Sequence, residues 1–274
     1  MMVCRKRFFV LLFLSFSPCI AQKDTSHVLF IGNSLTYSND MPAILQQMFE
    51  TGKDKNYILY SATLPGITLE QHLELLLSNT DEKVSTGRQL VLGKDTFQKR
   101  KFDYVILQEA TVRMLIPEIR KQSFRCIEQL DSLIKENGGK TVLYQNYPIY
   151  NYPHSYCLPD PVKFKYDSDA FYCSEELLNS KQEVEILVKA CTEIGNRIGA
   201  KITPIGQAFE QLKRLNPRYD LLSDDGHPSK VGSYLIASFF YWIITERCFK
   251  KTGEFTEVPE FQKLDIIEVC ESLN

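Results

Sequence analysis

The sequence predicts an α/β fold, a three-layer αβα sandwich around a five-stranded, mainly parallel sheet. Short apolar runs alternate with helix-length segments from residue 27 to beyond residue 200. That alternation is the mark of βα units, whose right-handed crossovers cover both faces of a parallel sheet. Cap and turn residues stand at the joints, with Gly or Pro beside most of the expected helix ends.

The first strand is His27-Val28-Leu29-Phe30-Ile31, stopped at Gly32. Met41, Ile44, Leu45, Met48 and Phe49 then recur at helical spacing, with Asp40 as N-cap, Pro42 near the start and Gly52 past the end. A second strand, Tyr57 to Ser61, leads through Pro65-Gly66 into a helix opened by the capping-box pair Thr68 and Gln71. The third strand is Phe102 to Leu107, and Pro117 opens a long helix closed by Gly138-Gly139. Lys140 to Gln145 and Lys201 to Ile205 are the fourth and fifth strands, with a helix from about Leu178 to Ile198 between them. Val231, Tyr234, Leu235 and Phe239 mark a strongly apolar helix, and Phe261, Leu264, Ile266 and Ile267 a final amphipathic one packed on the rest. No internal repeat or linker divides residues 22–274, which read as one domain.

Residues 1–21 differ from the rest. Arg5, Lys6 and Arg7 precede an apolar run from Phe8 to about Phe16 and a small residue, Ala21. A basic start, a short apolar stretch and a small residue spell a secretory signal peptide, too short to span a bilayer comfortably. The expected location is therefore periplasmic or extracellular. Acylation at Cys19 is an alternative that Pro18 disfavours. The whole chain has 32 basic and 34 acidic residues; cleavage after Ala21 removes three basic ones and moves the net charge from −2 to −5. Neither value carries the electrostatic footprint of a nucleic-acid binder. Export permits disulfides among the six remaining cysteines. Cys157 and Cys173 bracket a loop and are expected to pair, Cys126 and Cys191 to be buried thiols, and Cys248 and Cys270 to be either bridged or free. No Cys-x-x-Cys pair or metal-ligand cluster and no Gly-rich phosphate loop is spelled, so neither a metal nor a cofactor is expected.

Open parallel sheets bind ligands beyond the carboxyl ends of their strands. Gly32-Asn33-Ser34, Pro65-Gly66, Gln108-Glu109 and Asn146-Tyr147 fall there. Ser34 has its hydroxyl at the sheet edge. Asp224-Asp225-Gly226-His227-Pro228 precedes the apolar helix, and Pro228 keeps His227 extended. Asp224, three residues before His227, could reach one imidazole nitrogen and leave the other for Ser34. An orienting acid, a base and a nucleophile are what acyl transfer requires.

With these residues the chain resembles the SGNH hydrolases, also called GDSL-like esterases and lipases, over residues 27 to about 245. The resemblance is to a bacterial branch whose first block reads as Phe30-Ile31-Gly32-Asn33-Ser34. It implies a flavodoxin-like fold and a serine esterase with Ser34 as nucleophile, Gly66 as an oxyanion-hole residue, and Asp224 with His227 as the acid–base pair. The third block departs from the family's Gly-x-Asn-Asp: the strand ends Leu107-Gln108-Glu109, with no asparagine. Gln108 is the candidate replacement, which would give an oxyanion hole of Ser34, Gly66 and Gln108. Asn33, Glu109, Tyr147 and His72 are candidate substrate contacts.

Residues 144–172 hold seven of the fourteen tyrosines together with Pro148, Pro153, Pro159 and Pro161. Such a segment is either an aromatic wall for a sugar face or a self-packed loop stapled by Cys157–Cys173. The expected substrate is a small-molecule or glycan ester, foremost a carbohydrate O-acetyl ester. A lipid or short-chain ester, and a non-catalytic glycan binder on a hydrolase fold, are the alternatives. Neither nucleic acid nor a stable membrane span is expected.

Overall fold

The computed structural model describes residues 25–52, 55–78, 90, 92–160, 163, 166, 167, 169–251, 253 and 255–274. The expected signal peptide and Cys19 lie outside them. Five parallel strands form one sheet: β1 (Thr25–Gly32), β2 (Asn56–Thr63), β3 (Tyr104–Leu107), β4 (Lys140–Tyr144) and, after a small hairpin, β7 (Lys201–Thr203). Their order is β2-β1-β3-β4-β7, the flavodoxin-like arrangement, with its topological switch between β1 and β3. The hairpin pairs β5 (Cys157–Pro159) with β6 (Phe171–Cys173).

Alternation along the strands divides the core in two. Val28, Phe30, Ile106, Val142 and Tyr144 face one layer, with the apolar sides of α2 (Met41–Gly52), α8 (Ile205–Leu215) and α9 (Lys230–Thr245). Leu29, Ile31, Val105, Leu107 and Leu143 face the other, with α3 (Leu69–Leu77), α6 (Pro117–Glu136) and α7 (Ser180–Ile198). Period two on the strands thus meets amphipathic helices on both sides. The capping box at the head of α3 forms as spelled, Gln71 N donating to Thr68 Oγ1 and Thr68 N to Gln71 Oε1. No helix among the described residues is long and apolar enough to cross a membrane.

Some local expectations are corrected. Asp40 does not cap α2; it ends a 3-10 turn, Ser38–Asp40, in which Asn39 and Asp40 both have positive φ. The final helix α10 (Glu260–Leu273) leaves Phe261 and Leu264 more than half exposed and buries Lys263, Ile266, Val269 and Cys270 instead. The Cys248–Cys270 disulfide holds the buried side of α10 against the end of α9, which fixes that orientation. Cys157 pairs with Cys173 across the hairpin, and Cys126 and Cys191 are buried thiols.

Candidate active site

Ser34 is the first residue of α1 (Ser34–Tyr37), a single turn that begins where β1 leaves the sheet beside the β1/β3 switch. Asn33 caps that turn, its Oδ1 accepting from Leu35 N, and its Nδ2 donates to the carbonyl of Ile67 in the next loop. Gly32 is required by a close approach: a Cβ there would lie 2.6 Å from Gln108 Oε1 and from Thr36 Oγ1. Gln108 Oε1 occupies that space because it accepts from Asn33 N at 2.8 Å and from Thr36 Oγ1 at 3.1 Å. Its Nε2 donates to the Glu109 carbonyl at 2.7 Å.

These contacts correct the expectation for Gln108. Both ends of its amide are used beneath the Ser34 turn, and the side chain is buried. It fixes the turn that carries Ser34 and does not point a donor at a reacting oxygen. As the first residue of a helix, Ser34 has an N–H that the helix ladder does not use. Gly66 stands in the neighbouring loop at φ +65°, a conformation glycine adopts without strain. The Asn33–Ile67 hydrogen bond ties that loop to the serine turn.

His227 reaches the serine from the other end of the chain. Its Nε2 lies 2.8 Å from Ser34 Oγ. Its Nδ1 lies 2.9 Å from Asp225 Oδ2, at ion-pair distance though not aligned as a hydrogen bond. A carboxylate only accepts, so Nδ1 carries the proton and Nε2 is left to accept from the serine hydroxyl. The carboxylate on His227 is thus Asp225, not the expected Asp224. The reason lies in the turn Ser223–Gly226, closed by Gly226 N donating to the Ser223 carbonyl with Gly226 at φ +80°. Asp225 Oδ1 accepts from Ser223 Oγ at 2.7 Å and from His227 N at 3.1 Å, which brings Oδ2 to the ring. Asp224 is exposed on the same turn. The Ser223 hydroxyl and the His227 N–H hold the Asp225 carboxyl down to about 2.

The four candidate substrate contacts are all buried, in a layer under the site. Asn33 is spent on the two loops, as described. His72 Nε2 donates to the Gly32 carbonyl at 2.9 Å, and burial lowers its pKa. Glu109 accepts from Ala110 N and Ser123 Oγ and pairs with Arg113; burial raises its pKa against the opposing pull of that arginine. Tyr147 stacks on Phe209 with ring centroids 4.7 Å apart. Asn146, at the end of β4, donates to the Glu109 carbonyl and completes the layer. The spacing located the strand ends correctly, but residues there pack downward into the sheet edge as readily as outward.

The tyrosine-rich segment packs partly on the core, where Tyr144 meets Phe240 and Tyr147 meets Phe209, and partly on itself. His154 stacks on Tyr152 and meets Tyr156 edge-on, while Tyr152 OH donates to buried Glu183. Only Tyr166 and Phe171, near the hairpin tip, stand well exposed among its described large aromatics. Asn39, which the sequence reading passed over, donates from Nδ2 to the Pro228 carbonyl at 2.6 Å and to Ser233 Oγ at 3.0 Å. Its signal in the sequence was faint, an Asn-Asp pair just before a helix.

Comparison with known proteins places the fold. No protein-family model and no curated protein sequence matches the chain. Among solved structures it is similar to a DUF4886 family protein from Bacteroides uniformis, with a TM-score of 0.67 and 21% identity over 91% of this chain and 94% of that one. It is also similar to a candidate SGNH hydrolase from Slackia heliotrinireducens, with a TM-score of 0.55 and 20% identity over 81% and 100% of the two chains. An acetyl xylan esterase, AlAXEase, matches at a TM-score of 0.52 and 12% identity, over 80% and 99%. The fold of this chain is that of the SGNH hydrolases.

Proposed function

We propose that the protein is a serine esterase working through an acyl-enzyme on Ser34. The observation that carries this reading is the 2.8 Å contact between Ser34 Oγ and His227 Nε2, with Asp225 on the far side of the ring. A hydroxyl, a base and an orienting acid in that order are the parts of nucleophilic acyl transfer. His227 takes the serine proton as Oγ attacks the ester carbonyl. The backbone N–H groups of Ser34 and Gly66 receive the developing oxyanion. His227 then gives its proton to the leaving alcohol, and water, deprotonated by the same imidazole, releases the acid. Asp225 keeps the Nδ1–H tautomer throughout.

With the Gln108 amide engaged elsewhere, the oxyanion has one side-chain donor fewer than the family pattern supplies. The loss of one such donor costs on the order of 2.7–4 kcal/mol in barrier height. A slow enzyme is the expected consequence. The same loss favours the second reading, a non-catalytic glycan binder. Incubation with a fluorophosphonate probe separates the two: covalent labelling of Ser34, abolished in Ser34→Ala, is expected. An unlabelled wild-type protein would remove the esterase reading.

For the substrate class we propose a carbohydrate O-acetyl ester. The exposed Tyr166 and Phe171 on the disulfide-tied hairpin support it, as aromatic faces suited to sugar rings. The acetyl xylan esterase that shares the fold is in keeping with it. Export is part of the same proposal, supported by the leader-like residues 1–21 and by two disulfides. Acetylated xylan, pectin and sialoside are to be compared with short- and long-chain acyl esters; exclusive preference for long chains would overturn the carbohydrate assignment.

A further inference from the structure

The base of this site sits on a surface loop and the nucleophile on the sheet edge, so something must fix one against the other. Within the His227 loop, Ser223 N donates to the His227 carbonyl and Ser229 N to the Leu221 carbonyl. Those bonds shape the loop and do not locate it. Among the described residues, the hydrogen bonds joining residues 33–40 to residues 220–233 are few. Besides Ser34–His227 itself they are Asn39 Nδ2 to the Pro228 carbonyl, Asn39 Nδ2 to Ser233 Oγ, and Ser233 Oγ to the Ser38 carbonyl. Asn39 holds a carbonyl one residue past the imidazole while lying five residues past the serine. The clamp therefore ties together the two chain segments that carry Ser34 and His227, just beyond each residue.

Backbone geometry agrees. Asn39 and Asp40 are consecutive non-glycine residues at φ +51° and +53°. The left-handed region is costly for most side chains and least so for Asn and Asp. Here it turns the Asn39 amide onto the Pro228 carbonyl. The proline ring fixes φ between the His227–Pro228 peptide and that carbonyl, leaving only ψ to absorb a displacement before it reaches His227.

We propose that Asn39 is a positioning residue for the reaction, a clamp that holds His227 at hydrogen-bond distance from Ser34. The proposal rests on the reading of Ser34 as nucleophile. A misplacement of about 1 Å in a reacting pair costs on the order of a hundredfold in rate, and partial loosening is expected to cost about tenfold.

Asn39→Asp keeps the shape and the tolerance for positive φ but replaces the donor with an acceptor. Asn39→Gly keeps the backbone and removes the side chain. Ser233→Ala removes the other half of the clamp and serves if either Asn39 variant fails to fold. Each is to be assayed on p-nitrophenyl acetate, and for the rate of fluorophosphonate labelling of Ser34, with thermal midpoints measured alongside. The expected result is kcat and labelling rate down about tenfold, KM within twofold and the midpoint unchanged. Unchanged kcat, or a loss that follows KM or the midpoint, overturns the clamp. Activity surviving in Ser34→Ala overturns the nucleophile reading instead, and with it the positioning role. A wild type that neither turns over ester nor takes the label overturns the esterase reading, and the positioning role with it.

Discussion

Around Ser34 the polar contacts lie inside the protein; around His227 they lie at its surface. The serine turn rests on Gln108, Asn33, Thr36 and His72, every one of them buried. His227 rests on Asp225, whose side chain is 68% exposed, on a turn of exposed serine and aspartate, and on the Asn39 contact to the Pro228 carbonyl. Buried hydrogen bonds are costly to break because the partner left behind is stranded without water. Surface ones exchange with solvent and are individually weak. Ser34 is therefore a fixed point of the fold, and His227 is the more adjustable of the two.

Four experiments break or sharpen that contrast. Removing the fixed point has the largest effect: Ser34→Ala is expected to lower kcat on the order of 10⁴- to 10⁶-fold with little change in thermal midpoint. Next comes the choice between neighbouring acids. Asp225→Asn is expected to lower kcat by roughly a hundredfold, whereas Asp224→Asn leaves it within about twofold. Equal losses in steady-state kinetics would mean that the turn is not held as the structure shows it.

Gln108→Leu tests the buried side. It strands Asn33 N and Thr36 Oγ1, each at a cost of about 1–3 kcal/mol. Chemical denaturation should record a clear loss of stability, and kcat should fall with it. A kcat loss without a stability loss would instead restore Gln108 to the oxyanion hole.

The smallest effect is electrostatic. Burial raises the pKa of Glu109 in the folded state above its ordinary value. The folded protein then binds that proton more tightly than the unfolded chain does. Stability is fully present below the unfolded carboxylate pKa and declines as pH rises through the raised folded one. Glu109→Gln is expected to flatten that decline in the thermal midpoint, and an unaltered pH profile would show that the shift is not Glu109's.

The strands, their parallel direction and the Cys157–Cys173 bridge were legible in the sequence because periodicity and close cysteine spacing are local, whereas the Cys248–Cys270 bridge was left open there. Ser34 and His227 were legible for the same reason, as residues at strand and helix joints. The acid was not: choosing between Asp224 and Asp225 depends on a turn whose closing bonds run from Ser223 to His227. Residue type suggested Gln108, Glu109 and Tyr147 as contacts to a ligand. Packing at the sheet edge decided otherwise, since the carboxyl ends of β3 and β4 meet Asn33, Ser123 and Phe209 before they meet solvent. Asn39 was hidden because its partners, Pro228 and Ser233, lie 189 and 194 residues further along the chain.

The separation of Ser34 from His227 by 193 residues has a bearing on synthesis. The strand leading to Ser34 is the first of the sheet to be made and lies inside it, between β2 and β3. A chain truncated before residue 227 keeps Ser34 but lacks its proposed base. Such a chain should be inert toward esters and toward serine-directed labels alike. Labelling of Ser34 would thus report that the segment carrying His227 has docked onto the strand made at the start of the chain.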